Sequence, residues 1–219
     1  MKFRKDLVLK TMVVMLTGAF LPGLIYGADA DNIIEKVQKK VRSTKTIRIQ
    51  FKEIARYQLT GTVSEVDAVL QMEGKDKFRL ESEDQVLVND GNTFWRYNKL
   101  DNQVLVDYAK KEEQEVFLNS FLYQIKEHYY GQVVEEIKEG GKKKHVLKLT
   151  PNPSEQSMFT AIKVWVVDGT WEIDRIIYTD YNDNETEYRI AKIEFNPVLA
   201  STTFTFSPPE GVQVVDLRL

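Results

Sequence analysis

A hairpin near the middle of the chain limits the fold more than any other stretch. Residues 85–98 read QVLVNDGNTFWRYN, in which two apolar runs flank Asp90-Gly91. Glycine readily adopts the positive φ that a tight turn between antiparallel strands requires, so this stretch predicts two adjacent strands. The second strand carries Phe94, Trp95 and Tyr97, more aromatic surface than one hairpin can bury. These rings must therefore face either a packed core or an apolar ligand.

Alternation of apolar and polar residues extends the β pattern along the chain. Residues 45–52, 66–73 and 77–82 alternate with a period of two, which predicts strands with one apolar face. Glu53 interrupts the first of these runs and suggests a bulge or bend there. Further runs between short turns bring the total to about eleven strands, ending at Phe204–Phe206. Short connections favour antiparallel neighbours, so the predicted fold class is α+β, mainly antiparallel β.

Two segments break this pattern and predict helices. Residues 33–41 carry an apolar stripe on one face and lysines on the other. Within residues 110–126, Phe117, Phe121 and Ile125 recur at the four-residue spacing of one helix face. The second helix is either an ordinary cover on an exposed face of the sheet or a lid over an apolar cavity.

The polar side of the first helix is basic. Lys36, Lys39, Lys40 and Arg42 lie on it. The simpler interpretation is a solvated face, and the alternative is a docking surface for an acidic partner.

The first thirty residues have the features of an export signal. Three basic residues precede a mostly apolar stretch, residues 7–25, and Ala28-Asp29-Ala30 then offers a cleavage site. We expect a signal peptide over residues 1–30, cleaved after Ala30 or two or three residues earlier. A transmembrane anchor is the alternative, but Lys10 divides the apolar run into pieces shorter than the roughly 20 residues that a span needs. Residues 31–219 are then expected to form a single, soluble, extracytoplasmic domain.

Composition excludes several classes of function. The chain has no cysteine, which rules out disulfides, thiolate metal sites and a cysteine nucleophile. Its formal charge of −3 gives no support for nucleic acid as a partner. The two histidines, His128 and His145, belong to no recognisable catalytic or metal-binding spacing. We therefore expect no catalytic residue, no metal and no cofactor, and a protein that is not an enzyme.

Several segments, in this order, resemble the LolA family of periplasmic lipoprotein carriers. They are ADNIIEKV, KDKFRLE, QVLVNDGNTFWRYN, the helix around Phe117–Ile125 and FTFSPPEGV. The resemblance implies an incomplete, half-open β-barrel whose concave face is covered by helices. It also implies a monomeric periplasmic carrier that binds the acyl chains of lipoproteins released from an inner-membrane ABC transporter of the LolCDE type. An outer-membrane acceptor then receives them.

One feature departs from that family. Its well-studied members carry an arginine that holds the lid shut, a few residues before the position of Phe78. The corresponding run here is Glu73-Gly74-Lys75-Asp76-Lys77, without arginine. Lys75 or Lys77 are candidate replacements, but lysine lacks the planar fork with which arginine binds several oxygens at once.

The resemblance and the alternation together give a set of candidate site residues. The predicted cavity lining is Phe51, Leu70, Met72, Phe78, Leu80, Trp95 and Tyr97. The predicted lid residues are Phe117, Phe121 and Ile125. For each of them, plain core packing and lipid contact both remain open. An alternative function is a periplasmic binding protein or sensor for another lipid or glycolipid.

Overall fold

The computed structural model describes residues 26–109, 117–153, 157 and 159–218. The helices are α1 (Tyr26–Arg42) and α2 (Phe117–His128). The strands are β1 (Thr46–Tyr57), β2 (Thr62–Glu73), β3 (Lys77–Ser82), β4 (Gln85–Asn89), β5 (Thr93–Asn98), β6 (Gln103–Tyr108), β7 (Tyr129–Glu139), β8 (Lys142–Pro151), β9 (Phe159–Val167), β10 (Ile173–Asp180), β11 (Glu185–Phe195) and β12 (Gln213–Asp216). Most of the predicted signal peptide and residues 110–116 of the predicted second helix lie outside the described residues.

The twelve strands formed by the described residues belong to one sheet that does not close. Their order is β12-β6-β5-β4-β3-β2-β1-β11-β10-β9-β8-β7, so β12 and β7 are the two edges. Every pairing is antiparallel except that of β12 with β6, which is parallel. The predicted fold class, an incomplete barrel of antiparallel strands with helices on one face, is confirmed.

The end of the sheet differs from the prediction. Residues 204–206 form a turn and coil, and the last strand is Gln213–Asp216 instead. The alternation Phe-Thr-Phe predicts a strand because Phe206 is apolar, but its ring packs on the side chains of Trp95 and Tyr97. The chain therefore crosses one face of the sheet before it pairs with β6.

The central hairpin forms as predicted. Gly91 has a φ of +96°, a conformation that side chains other than glycine rarely adopt. The carboxylate of Asp90 accepts hydrogen bonds from the backbone amides of Asn92 and Thr93, both at 2.8 Å. The turn therefore satisfies its own backbone donors and sets the register in which Val88 pairs with Trp95.

The concave face of the sheet carries the main core. Residues of β1, β2 and β3 alternate inward and meet the apolar stripes of α1 and α2. Helix α1 lies close to β7 because Gly131 has no side chain: a Cβ there would lie 2.6 Å from Cδ1 of Ile34 and 3.2 Å from Cβ of Ala30. This glycine thus allows α1 to approach one edge of the sheet.

Candidate functional site

Five of the predicted cavity residues meet on the concave face. The strand register aligns Met72 with Phe78 and Leu70 with Leu80, so these pairs share one face. With Phe51 they belong to a single apolar cluster in which each side chain is at most 8% exposed. The members of this set are Phe51, Leu70, Met72, Phe78 and Leu80.

Helix α2 packs its apolar stripe into the same cluster. Phe121 and Ile125 are 3% and 2% exposed, and Leu118 and Leu122 join them. The ring of Phe121 lies 6.1 Å from that of Tyr129, measured between centroids. The side chain of Phe117, the third predicted lid residue, lies outside the described part of the chain. The concave face is therefore covered by apolar side chains of α2.

A polar contact holds α2 against α1 where α2 is bent. Gln124 has φ −130° and ψ 22°, which breaks the regular helix. The carbonyl oxygen of Tyr123, one residue earlier, accepts hydrogen bonds from Gln38 Nε2 at 2.9 Å and from Arg42 Nη2 at 3.0 Å. Arg42 also pairs with the carboxylate of Glu127 at 2.6 Å. We call Gln38, Arg42, Tyr123 and Glu127 the helix clasp.

The helix clasp lowers the pKa of the Glu127 carboxyl group. Burial acts to raise the pKa of Glu127, but hydrogen bonds from its own backbone amide, Gln38 and Arg42 together lower it below its ordinary value. Glu127 is therefore an anion at neutral pH, and the charge pairs with Arg42.

The helix clasp contains an arginine, Arg42, whereas residues 73–77 contain none. Lys77, one of the two candidate replacements, pairs with Glu73 of its own sheet at 3.3 Å. Arg42 comes from α1 instead, 81 residues before Tyr123. Sequence reasoning missed it because the contact depends on how the two helices approach each other.

The structure corrects the expected positions of Trp95 and Tyr97. Phe94, between the turn and Trp95, contacts Phe78 on the concave face, with 6.0 Å between ring centroids. Successive residues of a strand point to opposite faces, so Trp95 and Tyr97 lie on the other face. There both rings contact Phe206, at 6.5 and 6.0 Å between centroids.

The concave face also contains polar groups that the sequence prediction did not include. Glu53 pairs in register with Tyr188 of β11, and Tyr188 is only 7% exposed. Glu53, two residues after Phe51, therefore lies on the same face. The one available signal was that Glu53 interrupts the alternation of β1. The bulge suggested by that interruption lies slightly earlier, where the β1–β11 register shifts between Gln50 and Phe51.

An open cavity lies beside this bulge. Its volume is about 630 Å³, within the range of roughly 300–1,000 Å³ typical of small-molecule sites. It is lined by Gln50, Phe51, Lys52, Asp67, Ala68, Val69, Glu81, Ser82, Arg189, Ile190 and Ala191. The cavity is thus formed by residues of β1, β2, β3 and β11 next to the bulge.

Much of the basic side of α1 is occupied by internal contacts. Lys40 pairs with Glu172 at 2.7 Å, and the ammonium of Lys36 lies 4.1 Å from the centre of the Trp171 ring. Arg42 belongs to the clasp. Three of the four predicted solvated cations therefore fix α1 to its neighbours.

His145 is held by carboxylates. Its Nδ1 lies 2.9 Å from Glu136 and its Nε2 lies 3.3 Å from Asp168, and the ring stacks on Trp171. Across the residues that the structure describes, no group of three or more histidine, aspartate or glutamate side chains is arranged to hold a metal ion. Over the same residues, no helix has both the length and the apolar character needed to cross a membrane.

Comparison with known proteins adds a family match. Residues 42–207 match the sequence profile of the family described as "Outer membrane lipoprotein carrier protein LolA". An outer-membrane lipoprotein carrier protein of Chromobacterium violaceum is 24% identical over 94% of this chain and 98% of its own length. An uncharacterized protein of Methanocaldococcus jannaschii is 26% identical over 92% of this chain, which spans only 58% of that relative's length.

A solved structure shares the fold. The crystal structure of an uncharacterized conserved protein from Thermus thermophilus superimposes with a TM-score of 0.58 at 14% identity. The match covers 85% of this chain and 98% of that one. At this identity the similarity shows a common architecture.

Proposed function

Because the chain belongs to the LolA family, we propose that it is a lipoprotein carrier that binds acyl chains between its concave face and helix α2. The observation that carries this proposal is the packing of Phe121 and Ile125 of α2 onto that face. Both side chains are hydrocarbon, so the acyl chains of a lipid can replace them without leaving a side-chain polar group of α2 unpaired. The described polar attachment of α2 to α1 is the helix clasp.

The energetics of the cargo require such a site. Exposing a buried CH₂ group to water costs about 0.8 kcal/mol, so a lipid anchor with ~40 methylenes costs on the order of 30 kcal/mol to expose. A carrier must therefore offer apolar surface comparable to the membrane. In this proposal the carrier stores that surface under α2, and the helix moves aside when cargo enters.

Among the described residues, opening the lid breaks only a few polar contacts, which are those of the helix clasp. The clasp consists of two hydrogen bonds to one carbonyl oxygen, one half-exposed ion pair and a hydrogen bond from Gln38 to the carboxylate of Glu127. Half-exposed pairs contribute little, about 0–1 kcal/mol, because water solvates both partners after separation. The cost of opening is therefore mainly the loss of apolar packing, which the acyl chains restore.

Location and partners follow from the same proposal. An export signal over residues 1–30 would direct the chain out of the cytoplasm, with cleavage after Ala30 or, as the burial of Ala30 in the core favours, after Gly27 or Ala28. The donor is then an inner-membrane ABC transporter of the LolCDE type, and an outer-membrane acceptor receives the lipoprotein. The transporter supplies the energy for loading.

The direct test is release of lipoproteins from membranes. Purified mature protein is incubated with spheroplasts that contain a tagged outer-membrane lipoprotein, and the supernatant is analysed by size exclusion. We expect a soluble complex of the protein with the tagged lipoprotein. If the lipoprotein stays in the membrane fraction while a known carrier releases it in parallel, the proposed function is wrong.

A further inference from the structure

A carboxyl group and two phenols lie on the otherwise apolar concave face. In the β1–β11 register Glu53 is opposite Tyr188, and Tyr178 of β10 is opposite Thr186. The hydroxyl of Tyr188 is hydrogen-bonded to the carboxyl group of Glu53 and to the hydroxyl of Tyr178. We call Glu53, Tyr178 and Tyr188 the polar trio.

Aromatic packing fixes the trio in place. The ring of Tyr188 meets that of Phe51 edge to face, with centroids 5.4 Å apart. The ring of Tyr178 lies 5.9 Å from that of Tyr188 and 4.3 Å from that of Phe159. This ring packing holds the two phenol hydroxyls in a fixed arrangement, so a ligand that reaches them meets a defined geometry.

The trio lies where the concave face passes from buried to exposed. Along the inward positions of β1, Ile49 and Phe51 are 1% and 2% exposed, whereas Tyr57 is 47% exposed. Glu53 and Ala55, between them, are half-buried. A lipid whose chains fill the deep part of this face would thus have its polar head near Glu53.

Burial keeps the trio in a protonation state suited to hydrogen bonding. Burial raises the pKa of Glu53, and the hydrogen bond from Tyr188 opposes this rise only in part. Burial also raises the pKa of both Tyr178 and Tyr188, so each remains a neutral phenol that can donate its O–H. Polar groups at this position are costly in an apolar face, and they add nothing to the binding of hydrocarbon alone.

We propose that the polar trio is a subsite for the ester and amide groups that join acyl chains to the head of a lipid anchor. When such a lipid binds, each phenol O–H turns from its partner within the trio to donate to an ester carbonyl oxygen, and Glu53, released by Tyr188, accepts from an amide N–H. The acyl chains extend past Phe51 toward Leu70 and Met72. This inference rests on the proposed function, since it assumes that lipid occupies the concave face.

The test compares a ligand with polar linkers to one without. Diphenylhexatriene is a pure hydrocarbon probe, and a synthetic triacylated lipopeptide carries both ester and amide groups. Replacing Tyr188 by Phe (Tyr188→Phe) removes one hydroxyl and keeps the ring. We expect it to leave the Kd for diphenylhexatriene within about twofold and to raise the Kd for the lipopeptide about fivefold, the effect of one hydrogen bond. Tyr181→Phe, at a 73% exposed tyrosine in the adjoining turn, is the matched control and should change neither Kd.

Each other outcome has a defined meaning. If Tyr188→Phe raised the Kd for both ligands equally, or changed neither Kd, the proposed subsite would be wrong. The polar trio would then be a hydrogen-bond cluster with a structural role only. Wild-type protein that binds neither ligand would overturn the proposed function itself. A short-chain phospholipid is the third ligand in the comparison. If Tyr188→Phe lost affinity for the phospholipid alone, the assignment of the subsite to a lipoprotein anchor would be contradicted. Glu53→Leu provides a second variant: it removes both acceptor oxygens at similar volume, and we expect it to fold and to weaken binding of the lipopeptide only.

Discussion

Nη2 of Arg42 lies 3.0 Å from the carbonyl oxygen of Tyr123, directly before the break in α2 at Gln124. A break in a helix leaves carbonyl groups without their usual amide partners four residues on, and another donor must satisfy them. Here a guanidinium from α1 does so and also pairs with the carboxylate of Glu127 at 2.6 Å. The bend and the arginine together define the closed position of α2.

Removing the arginine should favour opening of the lid. In Arg42→Ala the closed state loses a hydrogen bond and an ion pair, worth about 1 kcal/mol together at half-exposed positions. We expect the affinity for diphenylhexatriene to rise about two- to fivefold and amide hydrogen exchange in α2 to accelerate. Lys39→Ala removes an exposed cation from the same turn of α1 and is the control. Unchanged exchange in α2 would show that the clasp does not hold the lid.

The sequence predicted which residues share a face, but it could not tell which face of β5 is concave. Phe94 and Trp95 are adjacent and point to opposite faces of the strand, and both are aromatic. The strand therefore has an apolar inner face whichever of the two points inward. The outcome depends on Phe206, more than a hundred residues later, which covers Trp95 and Tyr97 from the other side. Local alternation contains no information on such a distant contact.

Replacing Phe206 should therefore lower the free energy of unfolding and leave probe binding unchanged. Phe206→Ala uncovers Trp95 and Tyr97, and because Phe206 is only half-buried we expect the free energy of unfolding to fall by about 2 kcal/mol, less than for a fully buried phenylalanine. The Kd for diphenylhexatriene, measured on the folded variant, should stay within twofold. A large loss of probe binding in a variant of near-normal stability would instead assign this face to the site.

The face opposite the helices contains a charge cluster that predicts a pH dependence of stability. The side chain of Glu187 is 4% exposed and contacts Arg56 at 3.0 Å and Arg189 at 2.9 Å. Burial acts to raise the pKa of Glu187, but hydrogen bonds from Arg189 and Arg56 outweigh it and hold the pKa below the ordinary value of 4.5. The stabilisation is thus complete above pH 4.5 and is lost as the pH falls through the lower, folded-state pKa.

Glu187→Gln tests this dependence. We expect the free energy of unfolding in urea to fall by about 1–2 kcal/mol at pH 7, and the difference from wild type to shrink as the pH is lowered toward 3.5. Glu185→Gln neutralises an exposed carboxylate on the same strand and should cost little at either pH. A constant difference across this range would show that the ionised carboxylate contributes nothing specific.

Pattern and chemistry were sufficient for most of the strands, the Asp90-Gly91 turn and the described part of α2, because each depends on residues close in sequence. The helix clasp and the polar trio depend on pairs far apart in the chain, such as Gln38 with Tyr123 and Glu53 with Tyr188. In the sequence neither residue stands out, since Arg42 is one of several cations on the polar face of a helix and Glu53 is an acid that interrupts the alternation of a strand. Only the tertiary arrangement brings them to the concave face or its lid.

The most direct measurement of the central claim is acyl-chain binding by Phe121→Glu, at a position of α2 that is 3% exposed and faces the sheet. Lys126→Glu places the same charge on the exposed side of α2 and is the matched control. With folding verified by circular dichroism, the account predicts at least a tenfold loss of lipopeptide affinity in Phe121→Glu and none in Lys126→Glu, since only the former puts a charge among acyl chains. Equal affinities in a folded Phe121→Glu would contradict binding between the sheet and α2.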